Sequence, residues 1–153
     1  ERKELAERKN NYYQEYLKNI SKDNLLDGIE NILNNLKDKG YKLAIASASK
    51  NTSIVVEKLD IKEMFDTISD GHSVKKSKPA PDLFLKISEE LEIKPENILV
   101  IEDSHNGVKA AKKAGMNCIG FSNNNSGNQD LSIADLIIED FSKLTLEQIK
   151  NFK

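Results

Sequence analysis

The sequence predicts an α/β protein built on a parallel, doubly wound sheet, and three observations carry that prediction. Short apolar runs alternate with segments of helical periodicity along the chain, the pattern of parallel strands joined by right-handed crossover helices. Ile98-Leu99-Val100-Ile101 puts four branched apolar residues in a row, as a strand covered on both faces requires. Polar, chemistry-bearing residues follow three of the apolar runs at once, where open α/β sheets hold their ligands.

The elements follow in order. Residues 1–19 are charged, with Leu5, Tyr12, Tyr13, Tyr16 and Leu17 at roughly helical spacing, and three of the four tyrosines in the chain lie here. This helix is expected to pack on a neighbour, and it stands outside the strand–helix alternation. Residues 21–28 connect to a helix carrying Ile29, Ile32, Leu33 and Leu36, which Gly40 stops. Residues 41–46 read as a strand interrupted only by Lys42, followed by a helix through about Leu59. Residues 65–69 are a short strand, residues 70–78 a polar loop. Pro79 and Pro81 bracket the entry to a helix with Leu83, Phe84, Ile87 and Leu91 on its inner face. Residues 94–97 turn the chain into the 98–101 strand, and a helix then closes at Gly115. Residues 117–121 form the next strand, residues 122–129 an exposed polar loop rich in Asn, Ser and Gly. Residues 134–138 make a last strand and residues 144–152 a closing amphipathic helix.

Composition bounds the function. A chain of 153 residues supports one sizeable core, and 38% hydrophobic with 31% charged residues describes a soluble globular domain. The net charge of -2 offers no electrostatic case for nucleic acid or an anionic membrane. A single cysteine, Cys118, allows no internal disulfide and fits a reducing cytoplasm. No apolar run reaches membrane-spanning length.

Three spots then carry chemistry. Glu102 and Asp103 close the apolar run 98–101. Two carboxylates at the end of a buried strand are costly unless a cation or several donors compensate, so Asp103, helped by Glu102, is a candidate ligand for a hard divalent ion, most simply Mg2+. The competing reading is that Asp103 only caps the helix beginning near Ser104. Ser47-Ala48-Ser49-Lys50-Asn51 sets hydroxyls, an amide and small residues at a strand-to-helix turn, fit for an anion; ordinary N-capping competes with it. Lys78, in Ser77-Lys78-Pro79-Ala80-Pro81-Asp82, presents a point charge from a stiffened loop and suits a phosphate. Its competitor is a solvated lysine such as Lys75 or Lys76. An anion site, a fixed lysine and a metal carboxylate together describe phosphoryl transfer.

Ser47, Lys78-Pro79 and Glu102-Asp103 resemble motifs II, III and IV of the haloacid dehalogenase (HAD) superfamily of phosphotransferases. The strings 46–51, 77–82 and 102–104 are similar to the β-phosphoglucomutase branch, and the resemblance runs over nearly the whole chain. It implies a Rossmann-like HAD core, a parallel sheet flanked by helices, over residues 21–153, with residues 1–20 the end of a helical cap. It implies that Ser47 binds the transferring phosphoryl group, with the Ala48 N–H beside it, and that Lys78 neutralises that group. Asp103 would ligate Mg2+, with Glu102 as ligand or support. Ser49, Lys50 and Asn51 would grip the second phosphate of a sugar phosphate, and Lys9 would reach sugar hydroxyls unless it is one more solvated helix lysine. The implied reaction interconverts β-glucose 1-phosphate and glucose 6-phosphate through an aspartyl-phosphate. A sugar-phosphate or phosphoglycolate-type phosphatase is the alternative.

One departure is large. The branch takes its nucleophile from an Asp-x-Asp-Gly-Thr type motif ending the first core strand, and no such motif occurs here; Asp27-Gly28 and Asp70-Gly71 lack the second carboxylate and the preceding strand. The expectation is therefore the C-terminal part of a longer enzyme, with the middle strand of the sheet and the acceptor carboxylate supplied by an N-terminal segment, and no turnover by these 153 residues alone. A non-catalytic phosphate-binding module is the alternative of another class. His72 and His105 have no metal-ligand or nucleophile arrangement around them, and Cys118 reads as core.

Overall fold

A computed structural model describes residues 2–70, 74–123 and 126–152, with side chains at positions 2, 3, 5–7, 9, 10 and 14 outside the description. The order is α1 (Arg2–Lys18), α2 (Ile29–Asp38), β1 (Ala44–Ala46), α3 (Thr52–Lys58), β2 (Thr67–Ser69), α4 (Asp82–Leu91), β3 (Leu99–Glu102), α5 (His105–Lys113), β4 (Asn117–Phe121), β5 (Leu136–Ile138) and α6 (Leu146–Lys150). All strand pairs are parallel, and helices flank them, as the alternation predicts. No helix among the described residues is long and apolar enough to cross a membrane.

The strands form two groups, β1-β2 and β3-β4-β5, with no described strand between them. The carboxyl ends of β1 and β3 nevertheless come close, since the Lys78 ammonium bonds both the carbonyl of Ala46, the last residue of β1, and the carboxylate of Glu102, the last of β3. β1 is shorter than the 41–46 run. The Leu43 N–H takes the Asp66 carboxylate at 2.7 Å instead of a backbone carbonyl, which ends the ladder there.

β4 shows why its residues 118–121 carry no polar side chain of the usual exposed kind. Cys118 joins a core with Phe84, Val100, Val108, Ala110, Ala111 and Met116, whereas Ile119 and Phe121 join one with Ile32, Leu36, Phe141 and Ile149 on the other face. Both faces are buried from Cys118 to Phe121, so these four positions must be apolar. Three further bonds fix neighbours. The Cys118 N–H donates to Asp135 at 2.7 Å, just before β5. Burial opposes ionisation of Asp135, but Lys112 and that N–H outweigh it and hold the carboxyl below its ordinary range. On the other side Glu90 of α4 accepts from Thr67 at 2.5 Å and from Ser69 at 2.9 Å, pinning α4 to β2. Gly28 begins α2 with φ of 83°, and a Cβ there would stand 2.7 Å from the Ser142 backbone nitrogen, so only glycine fits.

The described side chains of α1 divide, with Tyr13 half-buried. Leu17 is buried, but Tyr12 and Tyr16 are 73% and 59% exposed. The last turn of this highly charged helix is tied to α3, where Lys58 Nζ donates to Lys18 O at 3.4 Å.

Candidate active site

Three chain segments meet at the carboxyl ends of β1 and β3. The first starts at Ser47, whose N–H donates to Ser69 O at 3.0 Å and carries the β1–β2 ladder one residue past the strand. The Ser47 hydroxyl accepts from the Ser49 N–H at 3.1 Å, and the Ser49 hydroxyl from the Asn51 N–H at 3.2 Å. Buried Thr52 then donates its hydroxyl to Ser49 O at 2.7 Å. Such turns are what short hydroxyl side chains impose on a backbone leaving a strand. Asn51 is the residue before α3, and the bonds of Ser49 and Thr52 order the backbone there. Ala48 and Lys50 are exposed on this turn; Ser47, Ser49 and Asn51 are half-buried.

Lys78 supplies the second part. Its Nζ donates to Ala46 O at 3.0 Å, pairs with Glu102 Oε1, and lies 4.7 Å from the Phe84 ring centroid. The two side chains of the pair are 12% and 10% exposed. Lys78 is thus no solvated lysine, unlike its exposed neighbours Lys75 and Lys76. Two of its donors are used by the strand ends, and the ammonium charge is held beside the Ser47 turn.

Glu102 and Asp103 form the third part, and they divide. Glu102 turns back against the start of α5: Oε1 meets Lys78, and Oε2 accepts the Ser104 hydroxyl at 3.0 Å. Asp103 is exposed and accepts from the Ser126 hydroxyl at 2.5 Å. It does not cap α5. Ser104 does, its hydroxyl accepting the Gly107 N–H at 3.0 Å, because the cap must precede the first helical residue, His105. A hard cation takes oxygen ligands and can keep several waters beside one or two carboxylates. Asp103 fits that role; Glu102, committed to Lys78, fits as its support. No group of three or more His, Cys, Asp or Glu side chains suited to a metal occurs among the described residues.

With this geometry in place, family comparison is decisive. The profile of haloacid dehalogenase-like hydrolases matches residues 1–121. The chain belongs to this family. It is 36% identical over 147 residues to a β-phosphoglucomutase of Bacillus subtilis, covering 96% of this chain and 63% of that protein. To a phosphorylated carbohydrates phosphatase of Thermotoga maritima it is 34% identical over 117 residues, 75% of this chain and 51% of the relative. The crystal structure of a β-phosphoglucomutase from Clostridium difficile superposes with a TM-score of 0.86 at 34% identity, over 97% of this chain and 65% of that one. The chain therefore spans less than two thirds of these relatives.

The remaining candidates in this haloacid dehalogenase-like chain are Lys9, His72, His105 and Cys118. Lys9 lies on α1, and its side chain is outside the described residues, as is the whole of His72. His105 begins α5 with Nδ1 2.8 Å from Asp130 O, a local tie between helix and loop. Cys118 is fully buried, and burial pushes its thiol up to about 12. We expect it to resist a disulfide-exchange reagent in the folded chain and to react only on unfolding in urea. Its folded value lies above the unfolded one near 8.5. The associated stability is therefore complete below about pH 8.5 and declines as pH rises toward 12, which urea titrations at pH 8 and pH 10 will register.

Sequence reasoning missed three contributors. Gly107 gives Glu102 its place, since a Cβ there would overlap the carboxylate; a glycine inside an otherwise helical run was the available signal. The Ala46 carbonyl left no sequence signal at all. Ser126 lies in the loop expected to be exposed, yet is half-buried and bonds Asp103.

Proposed function

We propose that this chain is the C-terminal part of a sugar-phosphate phosphotransferase interconverting β-glucose 1-phosphate and glucose 6-phosphate in the cytoplasm. The observation that carries the reading is the Lys78 ammonium, held between the ends of two strands and next to the Ser47 turn. In this role Ser47 and the Ala48 N–H bind the oxygens of the transferring group. Lys78 offsets the charge that develops there, in a partly desolvated place where a fixed donor is worth more than in water. Glu102, with the Ser104 hydroxyl, orients Lys78. Asp103 would hold Mg2+, which when bound neutralises phosphoryl oxygens. The acceptor carboxylate and the cap would come from outside residues 21–153, residues 1–20 being the end of that cap.

A mutase must hold a second phosphate, and in this reading exposed Lys50 would do so with Ser49 and Asn51. The phosphatase relative keeps a second reading in view, in which water resolves the phosphoenzyme. Assaying the complete encoded protein on β-glucose 1-phosphate separates them. The proposal expects glucose 6-phosphate in excess of free phosphate and no turnover by the 153-residue chain with Mg2+. Phosphate as the main product would replace the mutase reading with the phosphatase one.

A further inference from the structure

The loop that follows β4 is tied together by its own side chains. Asn123 accepts the Ser126 N–H at 3.0 Å and donates its amide to the Ser126 hydroxyl at 2.6 Å. The Gln129 amide donates to Ser126 O at 3.1 Å and accepts the N–H of His105, the first residue of α5, at 3.1 Å. His105 Nδ1 in turn lies 2.8 Å from Asp130 O. Ser126 is therefore held by Asn123 on one side and, through Gln129, by α5 on the other. A serine hydroxyl has one proton to give. Asn123 already donates to this hydroxyl, so its proton goes to Asp103 Oδ2, 2.5 Å away. The bond serves neither the cap of α5, which Ser104 makes, nor the burial of Asp103, which is exposed.

We propose that Ser126 is a positioning residue for the cation of this site, fixing the Asp103 carboxylate as a one-oxygen ligand that favours Mg2+ over Ca2+. This rests on the reading of Asp103 as the metal carboxylate. An exposed aspartate left alone samples several rotamers, and ordering it when an ion arrives costs affinity. A partner that is itself already fixed removes part of that cost. Carboxylates that ligate metals depend on such outer hydrogen bonds, whose loss weakens binding about 10–100-fold. The bond also divides the two carboxylate oxygens. Oδ2 carries the hydroxyl proton, which draws charge from that oxygen and leaves Oδ1 the stronger donor. Mg2+ demands near-ideal octahedral geometry, whereas Ca2+ accepts both oxygens of one carboxylate. A carboxylate reduced to one good oxygen suits the smaller ion.

The test is divalent-cation binding to the complete encoded protein without substrate. Mn2+ stands in for Mg2+ and is read by electron paramagnetic resonance, with Ca2+ as competitor. In Ser126→Ala the Mn2+ affinity should fall about tenfold or more. Ca2+ affinity should fall less, so the preference for Mn2+ over Ca2+ narrows. Ser126→Thr keeps the hydroxyl and should restore both the affinity and the preference. A residue that only steadies the loop would lower the urea midpoint of the metal-free protein and leave the Mn2+-to-Ca2+ preference as it was. That result overturns the proposal. Asp103→Asn tests the metal reading beneath it. Unchanged Mn2+ binding in Asp103→Asn would remove Asp103 as the ligand, and the role of Ser126 with it. Loss of binding in Asp103→Asn with parental binding in Ser126→Ala would keep the metal reading and overturn the Ser126 proposal alone.

Discussion

Lys78→Met is expected to destabilise the chain by about 3 kcal/mol, the lower end for removing one partner of a buried ion pair. Methionine keeps the contact with Phe84 but leaves the Glu102 carboxylate with only Ser104 as a described partner. Adding Glu102→Gln removes the orphaned charge and should return about 2 kcal/mol. Urea unfolding of the two single variants and the double variant measures this directly. Binding of glucose 6-phosphate by calorimetry then separates structure from function. It should fall at least about tenfold in Lys78→Met and stay low in the double variant, because a buried ammonium has lost no substitute. Recovery of binding along with stability would show that Lys78 acts only by supporting the fold.

Gly107→Ala is the second large effect, and its sign runs against helix propensity. Alanine in place of a helical glycine stabilises an exposed helix by about 1 kcal/mol. Here the added methyl would occupy the space of the Glu102 carboxylate. Overpacking of this kind costs about 1–3 kcal/mol, and the displaced carboxylate also leaves Lys78. We expect net destabilisation in urea together with weakened sugar-phosphate binding. Asn106→Ala, at the exposed neighbouring position, serves as the control and should change stability by no more than about 0.5 kcal/mol. A stabilised Gly107→Ala chain would mean that Glu102 has another place to go and that its fit under α5 is not needed.

The site was legible where chemistry follows strand ends. Ser47, Lys78 and Glu102 are separated by tens of residues, yet each comes just after an apolar run or at a proline-bounded loop, and the structure brings all three to one edge. Metal-ligand and capping roles could not be told apart at Glu102-Asp103-Ser104, because three adjacent polar residues can each serve either purpose. Packing assigns the cap and the directions of the other two: Ser104 bonds onto the helix, Glu102 turns inward to Lys78, and Asp103 outward to Ser126. On α1 the tyrosine spacing signals a face, of which Tyr13 is half-buried while Tyr12 and Tyr16 are exposed.

The sequence by itself determined the α/β class, the order of its elements, the parallel sheet and the family. These depend on local periodicity and on short strings, which a chain carries wherever it folds. Only the tertiary structure decided that Lys78 is withdrawn from solvent against Glu102, that Gly107 makes room for that carboxylate, and that the described strands form two groups. Each of these is a meeting of side chains or backbone edges brought together by packing. Pairwise contact, desolvation and free volume exist only once the helices and strands are in place.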